Sequence, residues 1–264
     1  MKRLFFVFAF AMAVYSAAIA LPRVIAHRGY WMKEGSAQNS LSSLRNADSV
    51  QCYGSEFDVS VTSDGVCVVN HDADIEGVVI ETASYADIKD KKLKNGEQLP
   101  TLRQYLQAGL ALSNGTRLIL EIKPHKTREN EDRCVAETVR LVEELGIGDR
   151  VDYISFSMNV CERLAEASPK SNIAYLKSDM SPAEVKKHGF NGIDYYGPVV
   201  LQHPEWIEEA HRLGMSVNVW TINDAEAIRQ FARLDVDFIT TDYPEQAMEI
   251  IRSEAQPTAG SQGK

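Results

Sequence analysis

The chain has 264 residues, with 28 Lys and Arg against 37 Asp and Glu, so its formal net charge is −9. Its composition, 44% hydrophobic and 25% charged, is that of an ordinary globular protein and excludes disordered, collagen-like and multi-span membrane chains. The acidic balance argues against a nucleic-acid-binding protein, because such proteins usually carry a basic excess.

The first twenty residues have the pattern of a secretory signal peptide. Lys2 and Arg3 form a short basic region, an unbroken apolar run follows from Leu4 to Val14, and Ala18-Ile19-Ala20 is an A-x-A cleavage pattern. The apolar run is too short to span a bilayer as a helix, which needs about 20 residues. We therefore predict a signal peptide over 1–20 and export to the periplasm or the medium, with no stable membrane insertion after cleavage. An uncleaved N-terminal anchor is the alternative.

Four cysteines would then lie in an oxidising compartment: Cys52, Cys67, Cys134 and Cys161. Their even number allows two disulfides, and none of their spacings is typical of a zinc site. Buried free thiols are an equally good interpretation, because a chain of this size does not need disulfides to stabilise its core.

After residue 20, short β-rich runs alternate with longer amphipathic ones. The predicted strands are Arg23–His27, Ser55–Val61, Val66–Asn70, Arg117–Lys123, Val151–Phe156, Asn172–Leu176, Gly192–Tyr196, Ser216–Trp220 and Phe238–Thr241. The predicted helices include Glu129–Leu145, Cys161–Ala167, Pro182–Lys187, Pro204–Leu213 and Ala225–Arg233. The third strand follows Ser63-Asp64-Gly65, a hairpin turn signal, so it is expected to pair with the second.

This alternation indicates βαβ units and a parallel sheet. Eight strands other than the hairpin strand, in about 220 residues, favour a closed TIM-type (β/α)8 barrel. An open doubly wound sheet is less favoured, because no G-x-G-x-x-G follows the first strand. We expect the barrel over 21–252, with a small insertion at 73–100 after the hairpin strand. A polar tail at 253–264 is expected to be disordered.

Charged residues within the predicted strands Ser55–Val61 and Arg117–Lys123 need a reason, because barrel strands are normally apolar on both faces. The period of two turns Glu56 and Asp58 of one strand, and Glu121 and Lys123 of another, toward the barrel interior. Three carboxylates meeting at one place would repel one another, and a divalent cation would remove that conflict. Ligands that are all oxygen select Mg²⁺ or Ca²⁺. The alternative is a set of separate buried ion pairs with bases such as Arg28 and Lys123.

Histidines stand at the ends of two β-rich runs. His27 ends the first strand and is followed by Arg28, and His71 follows the hairpin strand. Functional groups of barrels collect where strands end, and two histidines there suit general acid and base catalysis near neutral pH. Arg28 and Lys123 add positive charge, which suits a small phosphorylated substrate. The other histidines are interpreted as surface or helix residues: His125, His188, His203 and His211.

The ordered motifs resemble those of the glycerophosphodiester phosphodiesterase family. They are His27-Arg28-Gly29, Glu56-x-Asp58, Asp64-Gly65, His71-Asp72, Glu121-Ile122-Lys123 and Trp220-Thr221, with later similarities at Leu99-Pro100-Thr101-Leu102 and Thr241-Asp242-Tyr243-Pro244. The resemblance runs from about Arg23 to Ile251 and implies a TIM-type barrel that hydrolyses glycerophosphodiesters to glycerol 3-phosphate and an alcohol.

The resemblance also implies roles for individual residues. One divalent cation, Ca²⁺ or Mg²⁺, would lie on Glu56, Asp58 and Glu121. The other implied roles are acid and base for His27 and His71, phosphate binding for Arg28 and Lys123, and packing against the glycerol end of the substrate for Trp220.

One stretch departs from the family pattern. Where the family has Pro-Glu-Asn-Thr, this chain has Ala37-Gln38-Asn39-Ser40, so the neutral Gln38 replaces an acid and is expected to alter substrate choice. Three alternative functions follow from the residues. The same site would cleave glycerophosphoinositol or lysophospholipids, or the chain would be an exported barrel that binds phosphorylated solutes without turnover. A glycosidase using two carboxylates would leave the histidines without a role.

Overall fold

The computed structural model describes residues 21–254. The predicted signal peptide at 1–20 and the tail from residue 255 onward lie outside the described residues. Ser253 and Glu254, which the sequence assigned to a disordered tail, instead form the end of a helix. Glu254 pairs there with Arg233 at 2.8 Å, and this contact holds the last helical turn against the preceding helix.

Eleven strands and ten α-helices lie within residues 21–254. The strands are β1 (Arg23–Ala26), β2 (Gly54–Val61), β3 (Cys67–Val69), β4 (Asp74–Ile75), β5 (Val78–Val79), β6 (Arg117–Ile122), β7 (Val151–Ser155), β8 (Asn172–Tyr175), β9 (Gly192–Tyr196), β10 (Ser216–Trp220) and β11 (Phe238–Thr241). The helices are α1 (Leu41–Ser49), α2 (Tyr85–Ile88), α3 (Leu102–Leu110), α4 (Arg128–Glu144), α5 (Met158–Ala167), α6 (Pro182–Lys187), α7 (Gly197–Gln202), α8 (Glu205–Arg212), α9 (Ala225–Ala232) and α10 (Pro244–Glu254).

Eight parallel strands close into a barrel. The order is β1-β11-β10-β9-β8-β7-β6-β2, and β1 pairs with both β11 and β2, so the ring has no free edge. The hairpin strand β3 adds to β2 in antiparallel register, with Val61 opposite Cys67. The predicted TIM-type (β/α)8 barrel is confirmed.

Four of the predicted barrel strands extend one residue too far at the carboxyl end. His27, Lys123, Phe156 and Leu176 leave the sheet immediately after β1, β6, β7 and β8. All four side chains line one cavity at the mouth of the barrel. The residues that follow a barrel strand therefore face the site here, as expected for this fold.

The core that supports this mouth lies between the outer face of the barrel and the helices. Phe57, Val59 and Val61 of β2 are fully buried on that face. Phe57 stacks on Tyr105 of α3 with ring centroids 4.2 Å apart. Burying the outward side chains of β2 in this way fixes its alternate side chains, Glu56 and Asp58, toward the interior.

Residues 73–100 form the insertion, a short hairpin of β4 and β5 followed by a 3₁₀ turn at Ile80–Thr82 and by α2. It has a small apolar core of its own, in which Ile75, Ile80 and Ile88 pack against Val68 and Leu99. The insertion is thereby held firmly against the end of β3, next to His71.

All four cysteines are buried free thiols in the structure. The Sγ atoms of Cys67 on β3 and Cys134 on α4 lie 3.9 Å apart, without a bond between them. Among residues 21–254 no helix combines the length and the apolar character that crossing a bilayer requires.

Candidate active site

One cavity of about 120 Å³ lies at the carboxyl ends of the barrel strands. It is lined by all eight side chains that the sequence singled out: His27, Arg28, Glu56, Asp58, His71, Glu121, Lys123 and Trp220. These residues come from β2, β6, β10 and the loops after β1, β3 and β6, so closure of the barrel brings them together.

Three carboxylates form the floor of this cavity. Glu56, Asp58 and Glu121 are 4%, 1% and 6% exposed, and each offers an oxygen within 4.8 Å of the other two. Asp58 lies opposite Glu121 in the parallel register of β2 and β6, which explains their proximity. The Oε2 atom of Glu56 accepts the backbone N–H of Arg28 at 2.7 Å.

These carboxylates fit a hard divalent cation. The Oε1 atom of Glu56 is buried and, within residues 21–254, accepts no hydrogen bond. An unpartnered buried carboxylate oxygen is costly, and a cation on it would supply the missing partner. The donor set is entirely oxygen, as Mg²⁺ and Ca²⁺ prefer.

Burial and mutual repulsion shift the titration of this cluster. Burial raises the pKa of Glu56 well above its usual range, and the charges of Asp58 and Glu121 add to the effect. Burial and then Asp58 raise the pKa of Glu121 to about 7. Burial also acts to raise the pKa of Asp58, but Lys123, His71 and the amide of Asn39 outweigh it and lower that pKa. Without a cation the cluster therefore tends to hold a proton.

Lys123 is the principal counter-charge in the structure. Its Nζ atom lies 3.1 Å from Asp58 Oδ1 and 2.9 Å from Glu121 Oε1. Burial lowers the pKa of Lys123, but the two carboxylates outweigh burial and the pKa rises overall, so the ammonium stays charged. In the described part of the chain Glu56 has no basic side chain within 4.0 Å. Separate ion pairs therefore account for Asp58 and Glu121 but leave Glu56 without a cation.

The loop after β1 is tightly folded around Arg28. Arg28 itself has a φ of 54°, and the next residue, Gly29, has a φ of 75°. A Cβ at Gly29 would lie 2.3 Å from the hydroxyl of Ser43, so glycine is required there. This turn directs the backbone N–H of Arg28 at Glu56, while Nη1 donates to Gln38 Oε1 at 2.9 Å. Gln38, the departure from the family pattern, thus contacts Arg28.

Asn39 is a site residue whose role the sequence did not reveal. Its side-chain amide donates to Asp58 Oδ2 at 2.8 Å, and its carbonyl accepts the backbone N–H of Asp58 at 3.1 Å. Asn39 also has a positive φ of 61°, a conformation that asparagine tolerates better than most residues. The signal available in the sequence was its retention within the altered Ala37–Ser40 stretch.

His27 is oriented by Asp242, the second site residue whose role the sequence did not reveal. The Nδ1 atom of His27 lies 2.8 Å from Asp242 Oδ1, which also accepts a hydrogen bond from the indole N–H of Trp31. Burial raises the pKa of Asp242, but the hydrogen bonds of His27, Asn223 and Trp31 outweigh burial and lower it. An ionised Asp242 is only an acceptor, so the Nδ1 atom carries the proton and the Nε2 atom of His27 is free to accept one.

His71 has a similar but more exposed arrangement. Its Nδ1 atom lies 2.8 Å from the carboxylate of Asp72, which is itself largely exposed. Burial lowers the pKa of His71 from its ordinary value of 6.5, and although the nearby Asp58 opposes this shift, the net direction is downward. Protonated His71 is accordingly a stronger acid than an ordinary histidine.

Trp220 forms an aromatic wall of the cavity. It packs edge-on against Phe156, with centroids 5.5 Å apart, and its indole N–H donates to the backbone carbonyl of Asp194. Asp194 lies in the cavity as well, and burial raises its pKa to about 7. Asp194 was missed, although an acidic residue inside the predicted strand Gly192–Tyr196 is the same signal that pointed to Glu56.

His125, interpreted as a surface or helix residue, lies in a loop and is only partly exposed. The chain turns after Lys123-Pro124, so the ring of His125 lies over the end of β2, where Nε2 accepts the N–H of Val61 at 3.1 Å. It is half-buried, next to the active-site cavity. His188, His203 and His211 lie in or next to helices on the outside of the barrel, as expected, each beside an acidic side chain.

Comparisons with known proteins point to one family. A model of the glycerophosphoryl diester phosphodiesterase family matches residues 27–246. A crystal structure of a glycerophosphodiester phosphodiesterase from Parabacteroides distasonis is 46% identical, with a TM-score of 0.87 over 89% of this chain and 98% of that one. A glycerophosphodiester phosphodiesterase of Caldanaerobacter subterraneus is 22% identical over 245 residues, which are 87% of this chain and 97% of the relative.

An Oleispira antarctica phosphodiesterase, solved in complex with the product sn-glycerol-3-phosphate, has the same fold. It is 22% identical, with a TM-score of 0.77 over 88% of this chain and 97% of that one. The family match begins at His27 and extends past Asp242, so it includes every residue of the cavity described above. The chain therefore belongs to the glycerophosphoryl diester phosphodiesterase family.

Proposed function

We propose that the protein hydrolyses glycerophosphodiesters to glycerol 3-phosphate and an alcohol, with the help of one divalent cation. The observation that carries the proposal is the cluster of Glu56, Asp58 and Glu121, with its unpartnered oxygen on Glu56, in a cavity that also holds two histidines. The product bound to the Oleispira antarctica relative supports the same chemistry.

Glu56, Asp58 and Glu121 would hold the cation, Mg²⁺ or Ca²⁺. A bound cation of this kind supplies Lewis-acid polarisation of a phosphate oxygen and favours ionisation of a neighbouring hydroxyl. Arg28 and Lys123 stabilise the negative charge of the phosphoryl oxygens. Trp220 offers an apolar face on which the carbon atoms of glycerol pack.

His27 is the general base in this scheme. Its Nδ1 atom is engaged by Asp242, so Nε2 takes the proton from the attacking oxygen. Where that oxygen is water, glycerol 3-phosphate forms directly. Where it is the adjacent glycerol hydroxyl, a cyclic phosphodiester forms first, and water then opens it to glycerol 3-phosphate. His71 is the general acid that protonates the leaving alkoxide, and the lowered pKa of His71 makes the protonated ring a better donor. Asp242 and Asp72 orient the two rings.

Product analysis tests the function. The purified protein, incubated with glycerophosphoethanolamine and glycerophosphocholine, is expected to release glycerol 3-phosphate. Release only from a lysophospholipid or from glycerophosphoinositol would identify the related activity instead. Binding of these diesters without turnover, in the presence of Mg²⁺ or Ca²⁺, would identify a binding barrel and contradict the proposal.

A leaving-group comparison tests the assignment of the two histidines. His71→Ala should keep substantial activity on a glycerophosphodiester whose leaving group is p-nitrophenol, because that leaving group needs no proton. His27→Ala should be inactive on both substrates. An equal loss in both variants on both substrates would contradict the assignment.

We also propose that the protein acts outside the cytoplasm, from the signal-peptide pattern at 1–20. Fractionation of cells that express the full chain should recover the processed protein outside the cytoplasmic fraction. Unprocessed protein confined to the cytoplasm would contradict this.

A further inference from the structure

A second cavity, of about 300 Å³, adjoins the active site. It shares His71 and Lys123 with the first cavity and extends from them toward the insertion. Its apolar walls are Val79 and Ile80 of the insertion on one side and Pro124 of the loop after β6 on the other. A substrate that spans both cavities would pass His71 at the boundary.

Glu81 is the one acidic side chain that lines this second cavity. Its carboxylate accepts the backbone N–H of Lys126 at 3.0 and 3.2 Å and the side-chain amide of Asn130 at 2.6 Å. Both partners are neutral donors, and within the described residues no side-chain nitrogen of a lysine, arginine or histidine lies within 4.0 Å of the Glu81 carboxylate. The carboxylate is therefore held in a fixed position with its charge uncompensated by an ion pair.

The surrounding residues keep Glu81 in place and leave its charge available. Ile80 is fully buried in the core of the insertion and anchors the 3₁₀ turn that carries Glu81. Of the two lysines that line the cavity, Lys123 is already engaged by Asp58 and Glu121. The other, Lys126, is exposed, and its ammonium forms no salt bridge in the part of the chain that the structure describes.

We propose that this cavity binds the alcohol half of the substrate and that Glu81 selects small amino alcohols that carry an ammonium group. The inference rests on the proposed function, in which His71 protonates the leaving oxygen. The alcohol must then lie on the His71 side, where the second cavity opens. Glu81 meets the ammonium, and the exposed side chains of Val79 and Pro124 cover the methylene groups.

A pair of substrates that differ only in charge tests this. Glycerophosphoethanolamine carries an ammonium group, and glycerophosphoethylene glycol has a hydroxyl of similar size in its place. The wild-type protein is expected to show a kcat/KM about tenfold higher for the ammonium substrate, the size expected for a hydrogen bond between charged groups. Glu81→Gln keeps an oxygen acceptor for Lys126 and Asn130 and should reduce this preference to within about twofold, mainly through the ammonium substrate.

Glu76→Gln is the matched control. Glu76 belongs to the same insertion but does not line the second cavity. Its carboxylate pairs with Lys91. Glu76→Gln removes the same charge from the insertion. An unchanged substrate preference in this variant shows that the net charge of the protein does not cause the preference for the ammonium substrate. The wild-type comparison needs no variant and stands even if Glu81→Gln fails to fold.

The outcomes separate the two proposals. Hydrolysis of both substrates at equal kcat/KM by the wild type, or an equal loss on both in Glu81→Gln, would overturn the role of Glu81 and leave the proposed function intact. The absence of glycerol 3-phosphate from either substrate, with cation present, would overturn the proposed function and this inference together.

Discussion

Replacing Glu121 by glutamine should remove a pH-dependent cost that the carboxylate cluster imposes on folding. Burial and the charge of Asp58 raise the pKa of Glu121 from 4.5 to about 7. Between these values the folded protein keeps a proton that the unfolded chain has released, so the free energy of unfolding falls as the pH rises through that window. At about 1.4 kcal/mol per pKa unit, this costs on the order of 3 kcal/mol by pH 7 and above.

Urea denaturation at pH 5 and pH 8, in EDTA, measures this cost. From pH 5 to pH 8, the free energy of unfolding of the wild type is expected to fall on the order of 3 kcal/mol more than that of Glu121→Gln. Taking the difference between the two proteins removes the contribution of groups that titrate in both. Glutamine keeps the shape of the side chain, so Lys123 loses a charge partner but the packing is retained.

Added Mg²⁺ or Ca²⁺ extends the same measurement. A cation takes the place of the proton as the partner of the cluster, so it should stabilise the wild type more at pH 8 than at pH 5, and Glu121→Gln less than the wild type. An equal fall in the free energy of unfolding of the two proteins between pH 5 and pH 8 would refute a pKa of Glu121 raised by burial. Equal stabilisation of both by the cation would refute Glu121 as a ligand.

Three further substitutions follow from the contacts. Asp242→Asn removes the charge-assisted bond to His27, worth about 1.5–3 kcal/mol, so steady-state kinetics should show kcat reduced about 10- to 100-fold with KM nearly unchanged. Gln38→Glu replaces the neutral amide that accepts the hydrogen bond of Arg28 by a carboxylate, which gives an ion pair. This should raise the free energy of unfolding by about 1 kcal/mol at pH 7 in urea denaturation. Phe57→Ala empties a fully buried position and should lower the free energy of unfolding by about 3–5 kcal/mol in the same assay.

Each of these has a control or a contradicting result. Tyr243→Phe, next to Asp242 but more than a third exposed, should leave kcat unchanged. A rise in KM alone for Asp242→Asn would contradict its role in orienting His27. A loss of stability in Gln38→Glu would show that repulsion between the added carboxylate and the carboxylate cluster outweighs its attraction to Arg28. Activity per folded molecule should survive in Phe57→Ala, since the residue faces away from the cavity.

The barrel and its principal side chains were predictable from local patterns. The period of two in β2 and β6 placed Glu56, Asp58 and Glu121 on the inner face, and the rule that functional groups follow barrel strands placed His27 and His71 at one mouth. These inferences need only neighbouring residues and the fold class.

The contacts between distant segments were not predictable in the same way. Asp242 reaches His27 only because β1 pairs with β11 and closes the ring, which brings together residues 215 positions apart. His125 lies over β2 because the chain turns at Pro124, a local turn that follows no periodic pattern. The sequence analysis also did not name helices α1, α2, α3, α7 and α10, although each contributes buried residues.

The most direct test of the account is restoration of activity by a cation. Glycerol 3-phosphate release from glycerophosphoethanolamine is measured after EDTA treatment and again after addition of Mg²⁺ or Ca²⁺, for the wild type and for Glu56→Gln. We expect no release in EDTA, recovery with one of the two cations in the wild type, and no recovery in the variant. Full activity in EDTA, or equal recovery in Glu56→Gln, would contradict a cation held by the carboxylate cluster.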